Sequence, residues 1–221
     1  MAQWAVMLLL SCAFATQAAD FPPAKKKRAD PLAEYLIPNP EMPPVEFKGV
    51  PMGASLETFK ITNPNFECKD SAGSVTDCYF FVSSKPCPGV YSPELTGCID
   101  RFKKQSSYGG IQAKNFSAHF RNDALGMVLI SISPQNFNDL LDALSLKYGK
   151  PHKLNHTIIQ NRMGATFDDS EAKWIGNSAN ITLKKYSGSI DRGYVSLASH
   201  AYVEASIKER SEKRGKAASD L

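Results

Sequence analysis

The chain has 221 residues, 43% of them hydrophobic, and a formal net charge of +4. That is enough apolar chain for one domain with a sizeable core, and it excludes a disordered or fibrous protein. Lys25-Lys26-Lys27-Arg28 and the segment from Lys208 to Lys216, with five bases against two acids, hold all of the positive excess, so the body between them is slightly acidic and no nucleic-acid partner is expected.

Residues 1–18 read as a secretory signal: an apolar run from Trp4 to Ala15, then small residues, with no charged side chain before Asp20 and cleavage expected after Ala18. Leu9-Leu10-Ser11-Cys12 offers an alternative, a lipoprotein box that would leave Cys12 carrying lipid. The run is interrupted by Ser11, Cys12 and Thr16, so a retained membrane span is not expected. Residues 19–44 hold seven prolines, which lack an amide donor and fix φ, and predict an extended tether. A single domain is then expected over 45–207, followed by a charged helical end at 208–221.

Within the domain, Val45 to Val50 predicts a strand, and Ser55 caps a helix carrying Leu56, Phe59 and Ile61. Cys68, Cys78, Cys87 and Cys98 then fall within thirty-one residues. Export removes Cys12 and leaves this even set in an oxidising compartment, which predicts two disulfides. Four cysteines allow three pairings; neighbour pairing, Cys68 with Cys78 and Cys87 with Cys98, is the one preferred. Structural zinc usually takes ligands in tight pairs, and no CxxC is present.

Ala118-His119-Phe120 and Leu125 to Ser133 predict two strands joined at Asn122-Asp123. Ser133 and Pro134 then open the clearest helix, in which Phe137, Leu140, Leu141, Leu144 and Tyr148 recur on one face, ended by Gly149 and Pro151. Asp139 and Asp142 lie off that stripe and read as exposed charges. Thr157-Ile158-Ile159, Ala165-Thr166-Phe167, Ile181-Thr182-Leu183 and Tyr194 to Leu197 predict a glycine-turned antiparallel meander. A last helix starts near Ser199 with a narrow stripe of Val203 and Ile207, supported by Glu204 with Lys208 and Glu209 with Lys213. Strand, turn, helix and strands thus occur twice, and the fold class expected is α+β, an antiparallel meander with a few helices packed on it.

Candidate chemistry is sparse. His152 and His156 lead into a β-branched run, and in an extended chain they stand about 13 Å apart, too far to share a metal held at about 2 Å by each imidazole. Neither GxSxG, HExxH, GxxxxGK[ST] nor GxGxxG occurs. His119 and His200 have no local arrangement marking a triad, though a triad assembles from distant residues. They are the residues to substitute first if the protein is an enzyme. Trp174, Tyr186 and Tyr194 read first as core or half-buried cover and second as the lining of a ligand groove. No metal or cofactor is expected.

The order FNDLLDALSLKYGKP, then QNRMGATFDDSEAKWIGNSANITLKKYSGSIDRGYVSLAS, then a charged helix ending in KAASDL resembles a group of exported proteobacterial proteins with no assigned activity, over 124–221. The resemblance implies a bacterial, periplasmic location. GVPMGASLETFK resembles the strand, glycine turn and helix of small envelope-assembly modules, such as the accessory lipoprotein of the outer-membrane protein insertion machine. The function expected is a noncatalytic periplasmic module that binds a protein or envelope component. The alternatives are a small secreted hydrolase or hydrolase inhibitor, and a structural domain of a larger envelope complex.

Overall fold

The computed structural model describes residues 38–71, 74–81, 104 and 106–219. The signal segment, most of the tether, Cys12, Cys87 and Cys98 lie outside them. Eight strands form one antiparallel sheet in the order β3-β4-β7-β8-β12-β11-β10-β9. They are β3 (Glu67–Ser71), β4 (Val75–Phe81), β7 (Asn115–Arg121), β8 (Ala124–Ile132), β9 (Lys153–Gln160), β10 (Thr166–Ile175), β11 (Ala179–Lys184) and β12 (Gly193–Ser199). Two small hairpins stand apart, β1 (Glu46–Phe47) with β2 (Val50–Pro51), and β5 (Ser107–Tyr108) with β6 (Ile111–Gln112). The described helices of a turn or more are α1 (Leu56–Thr62), α2 (Phe137–Tyr148) and α3 (His200–Ser219).

The expected class, antiparallel sheet with a few helices, is the class observed. The repetition read faintly from sequence is a topological one. A helix, α1, precedes the meander β3-β4-β7-β8, and a second, α2, precedes β9-β10-β11-β12. The final strands of the two meanders pair at the centre of the sheet, Val195 opposite Ile130 and Leu197 opposite Val128. All four side chains are fully buried. One half of the core is aromatic, with Phe47, Phe59, Phe116 and Phe120 in mutual ring contact. The other is built on Trp174, Ile181, Leu183, Leu140 and Leu144.

Several local expectations need correction. Val45 to Val50 is not one strand but a hairpin turning at Lys48 (φ 48°) and Gly49 (φ 82°), because a lysine followed by glycine accommodates the tight left-handed turn. Ile61 is 75% exposed, because it lies two residues, about 200° of helix, beyond the buried Phe59 and so on the opposite face. Ser133 does not cap: its hydroxyl is turned to the Gln135 side chain, and Pro134–Asn136 form a 3-10 turn before α2 begins at Phe137. The strand read at Ala165 to Phe167 runs on through four charged residues to Ile175. Ser55 does cap α1, its hydroxyl accepting from the Thr58 N–H at 3.2 Å. Asp139 and Asp142 are exposed.

Cys68 and Cys78 stand directly opposite each other on β3 and β4 and are bonded, so the first of the two neighbour pairs is present. Cys78 is fully buried, and the bond ties the short edge strand β3 to its neighbour. Replacing both cysteines by alanine is expected to lower stability by about 2–3 kcal/mol, mainly by releasing the loop between them in the unfolded chain. Urea unfolding of the double variant beside the oxidised parent measures this.

Candidate functional site

Alternation along the strands sorts the sheet into two sides. In β7, Phe116, Ala118 and Phe120 are buried while Asn115, Ser117, His119 and Arg121 are half covered. The buried set faces α1 and α2. Because residues opposite one another across a ladder share a side, the register carries the half-covered side through Asp77 and Tyr79 on β4, Met127 and Leu129 on β8, and Ser196 on β12. It continues through Thr182 and Lys184 on β11 to Asp169 and Glu171 on β10. We call this the open face.

Helix α3 covers part of it. Ser199 caps the helix, its hydroxyl accepting from the Tyr202 N–H at 3.2 Å, and the helix then crosses β12 and β8. Tyr202 lies over Gly126, where an added Cβ would fall 2.2 Å from its ring. Arg121 donates to Glu209 at 3.0 Å and stands over the Tyr202 ring, and Lys213 binds the same carboxylate at 2.8 Å. The guanidinium and ammonium together hold the Glu209 carboxyl below its usual range, the Lys213 hydrogen bond being the larger cause. Beyond Arg210 every described side chain of the helix is exposed, as its lack of apolar residues dictates.

Beside the helix, three side chains form a line. Asp77 Oδ1 and His119 Nδ1 are 2.7 Å apart, and His119 Nε2 and Ser117 Oγ are 3.2 Å apart. An Nδ1–H donating to Asp77 leaves Nε2 to accept the serine proton, which is the arrangement that activates a hydroxyl. Ser117 and His119 share a face because they are two residues apart on one strand, a period legible in NFSAHFR. Asp77 comes from the adjacent strand and gives no sequence signal. Strand β7 has a neighbour on each side, so its amides are committed to the ladders and offer no oxyanion donor.

The other half of the open face carries a cleft of about 700 Å³ between the β9–β10 turn and the β11–β12 loop. Its walls are Ile159, Phe167, Tyr186, Ile190 and Tyr194, with Arg162 at the rim. Phe167 and Tyr186 meet edge to face, their ring centres 6.1 Å apart. The floor is charged and fixed. Asp169, which is 6% exposed, accepts from the N–H groups of Ser170 at 2.9 Å and Tyr186 at 3.1 Å. Its second oxygen lies 3.8 Å from Lys184 Nζ, which also stands 3.5 Å from Glu171. Lys173 continues the alternation 3.3 Å from Glu171. Such a surface offers ring faces for apolar or planar groups and oriented charges for polar ones.

A second cavity, about 520 Å³, opens on the helix-packed side between Lys48, Asn63, Phe66 and Phe80. Lys48 lies over the Phe116 ring at 4.7 Å, and burial lowers its ammonium to about 8. Lys104 stands on its rim.

The remaining sequence candidates separate. His152 Nδ1 accepts from the Ile175 N–H at 3.2 Å, and His156 Nδ1 lies 2.9 Å from Ser170 Oγ, so each is tied to β10 at a different point. His200 meets Asn180 Oδ1 at 3.1 Å at the start of α3. Trp174 is fully buried and donates from its indole to the Gly149 carbonyl at 2.8 Å, so it is core, whereas Tyr186 and Tyr194 line the cleft. Among the described residues no group of three or more His, Cys, Asp or Glu is placed to hold a metal ion. Comparisons with protein-family models, with curated proteins and with solved structures find no match.

Gly126→Ala is expected to lift Tyr202 and loosen α3 at a cost of about 1–2 kcal/mol while sparing the sheet. Hydrogen exchange should show faster amides in α3 alone, and adding Tyr202→Ala should remove the clash and the difference in stability that it causes.

Proposed function

We propose that the chain is an exported, noncatalytic binding module that uses the uncovered half of the open face to hold a protein or envelope component. The observation that carries this reading is the cleft: aromatic walls, Phe167 on β10, Tyr194 on β12 and Tyr186 in the β11–β12 loop, over a charged floor that the sheet keeps in place. Aromatic side chains dominate recognition energetics because they contribute large area at little rotamer cost. The signal-like leader supports export, as does the Cys68–Cys78 bond, which needs an oxidising compartment. Among the described residues no helix is long and apolar enough to cross a membrane. The resemblance to exported proteobacterial proteins makes the periplasm the compartment proposed, with Cys87 and Cys98 forming the second bond. Cross-linking of the tagged protein in its native envelope is expected to recover one stoichiometric partner, and Tyr186→Ala with Tyr194→Ala to reduce that recovery at least tenfold with the circular dichroism unchanged. Undiminished recovery would place the contact elsewhere.

A second reading, a small hydrolase, rests on the Asp77–His119–Ser117 line. Against it stands the position of Ser117 on an inner strand, whose own backbone amides are committed to the ladders with β4 and β8 and cannot serve as oxyanion donors. A fluorophosphonate probe separates the two readings. Labelling at Ser117 that is lost in His119→Ala supports the hydrolase; an unlabelled parent protein removes it.

A further inference from the structure

The sheet has two edges, and they are built differently. Strand β3 is five residues long, carries Glu67, Lys69 and Asp70, and is bonded to β4 through Cys68. Charges and short length are the usual protections of an edge. Strand β9 is eight residues long and has no Asp, Glu, Lys or Arg from Leu154 to Gln160. Ile158 is 74% exposed and Leu154 42% exposed, and Met163 in the turn that follows is 92% exposed. No described strand pairs with its outer side.

The ladder fixes which backbone groups point outward. Asn161 N–H donates to the Ala165 carbonyl at 2.9 Å, one step beyond the opposed pair Gln160 and Thr166, so that pair is a non-hydrogen-bonded one. By alternation so are Ile158 with Asp168, His156 with Ser170 and Leu154 with Ala172. The contact from Ile175 N–H to His152 at the other end has the same phase. The N–H and C=O of Leu154, His156, Ile158 and Gln160 therefore face the free edge, and their side chains share one side of the sheet.

We infer that β9 is a self-association edge, two copies of this chain pairing β9 against β9 antiparallel with Leu154 opposite the second copy's Ile158 and His156 opposite itself. A two-fold axis normal to the sheet keeps each side chain on its own face, which admits only registers in which a residue meets one of the same parity. Of these, centring on His156 puts exposed apolar against exposed apolar twice. Moving the axis to Thr157 would put Ile158 against His156 and Leu154 against Gln160. The charge pattern agrees, because the stretch from Leu154 to Ile158 carries no Asp, Glu, Lys or Arg and Lys153 lands opposite Ile159 rather than another cation. Leu154, His156 and Ile158 would each exchange both backbone bonds with their opposites, extending the eight-stranded sheet across the axis. This surface is separate from the cleft reading and does not depend on it.

The register makes a covalent test possible. Opposed hydrogen-bonded residues have Cα atoms about 5.5 Å apart, within the range a disulfide spans. Full-length protein carrying His156→Cys, oxidised at about 100 µM, is expected to form a reducible dimer joined at position 156 by mass spectrometry, whereas Thr157→Cys and the parent do not. Sedimentation of the parent should show association that Ile158→Lys weakens at least tenfold. Cross-linking through position 157 instead, or no dimer in either measurement, would overturn the proposal. So would slow exchange of the Leu154, His156 and Ile158 amides in a particle of monomer mass, since another segment of the chain, not a second copy, would then cover the edge.

Discussion

The pairing of β8 with β12 is the constraint on which the rest of the molecule depends. Each meander alone is four strands with one apolar side and a single short helix to cover it. Joining their last strands merges two thin cores into one and fixes both apolar sides to the same side of a continuous sheet. The register is held by Val128, Ile130, Val195 and Leu197, all fully buried at the seam. A slip by one residue would turn those four to water and expose Ser196 and Leu129 to the core, so the register is strongly specified. Helices α1 and α2 can then share one layer, and among the described residues the opposite side carries only α3, over β8 and β12.

That asymmetry explains what the open face looks like. A sheet side that one helix covers only in part has to be polar or half covered elsewhere, and its polar groups have to be satisfied by their neighbours. They are paired across strands: Asp77 with His119 in the first meander, Asp169 and Glu171 with Lys184 in the second. Strand β4 and strand β10 occupy equivalent positions, each second from its edge, as do β7 and β11. The same solution, an acid on the outer strand and a base on the inner, thus occurs in both halves. In the first half it lies beside α3, with Arg121, Glu209 and Tyr202 closing over the neighbouring surface. In the second it forms the floor of a cleft.

Much of the fold was legible because hydrophobic period and turn chemistry agree locally. Helix α2 was readable from five apolar residues at helical spacing and a glycine stop. The strands of the second meander announced themselves through β-branched runs between glycines. The hairpin at Lys48-Gly49 was missed because its strands are two residues long, too short for any period to show. Strand β10 is longer than its sequence suggests: Asp168, Asp169, Glu171 and Lys173 disfavour strand on propensity, yet three of them belong to the open face, where cross-strand pairing outweighs propensity. The candidate site was least legible. Its residues come from two loops and four strands, and only the topology places Asp77 beside His119 or Lys184 beside Asp169.

The two edges complete the same logic. A sheet assembled from two like halves has two edges at equivalent positions, and a protein that gained nothing from them would protect both alike. Here β3 is shortened, charged and cross-linked, while β9 is longer, uncharged from Leu154 to Gln160, and exposes Leu154 and Ile158 on the side its outward amides share. Strand propensity does not require this, because Lys or Glu at position 158 would cost the fold little at a side chain already 74% exposed. The residue at this position therefore bears on what meets the edge more than on how the domain holds together.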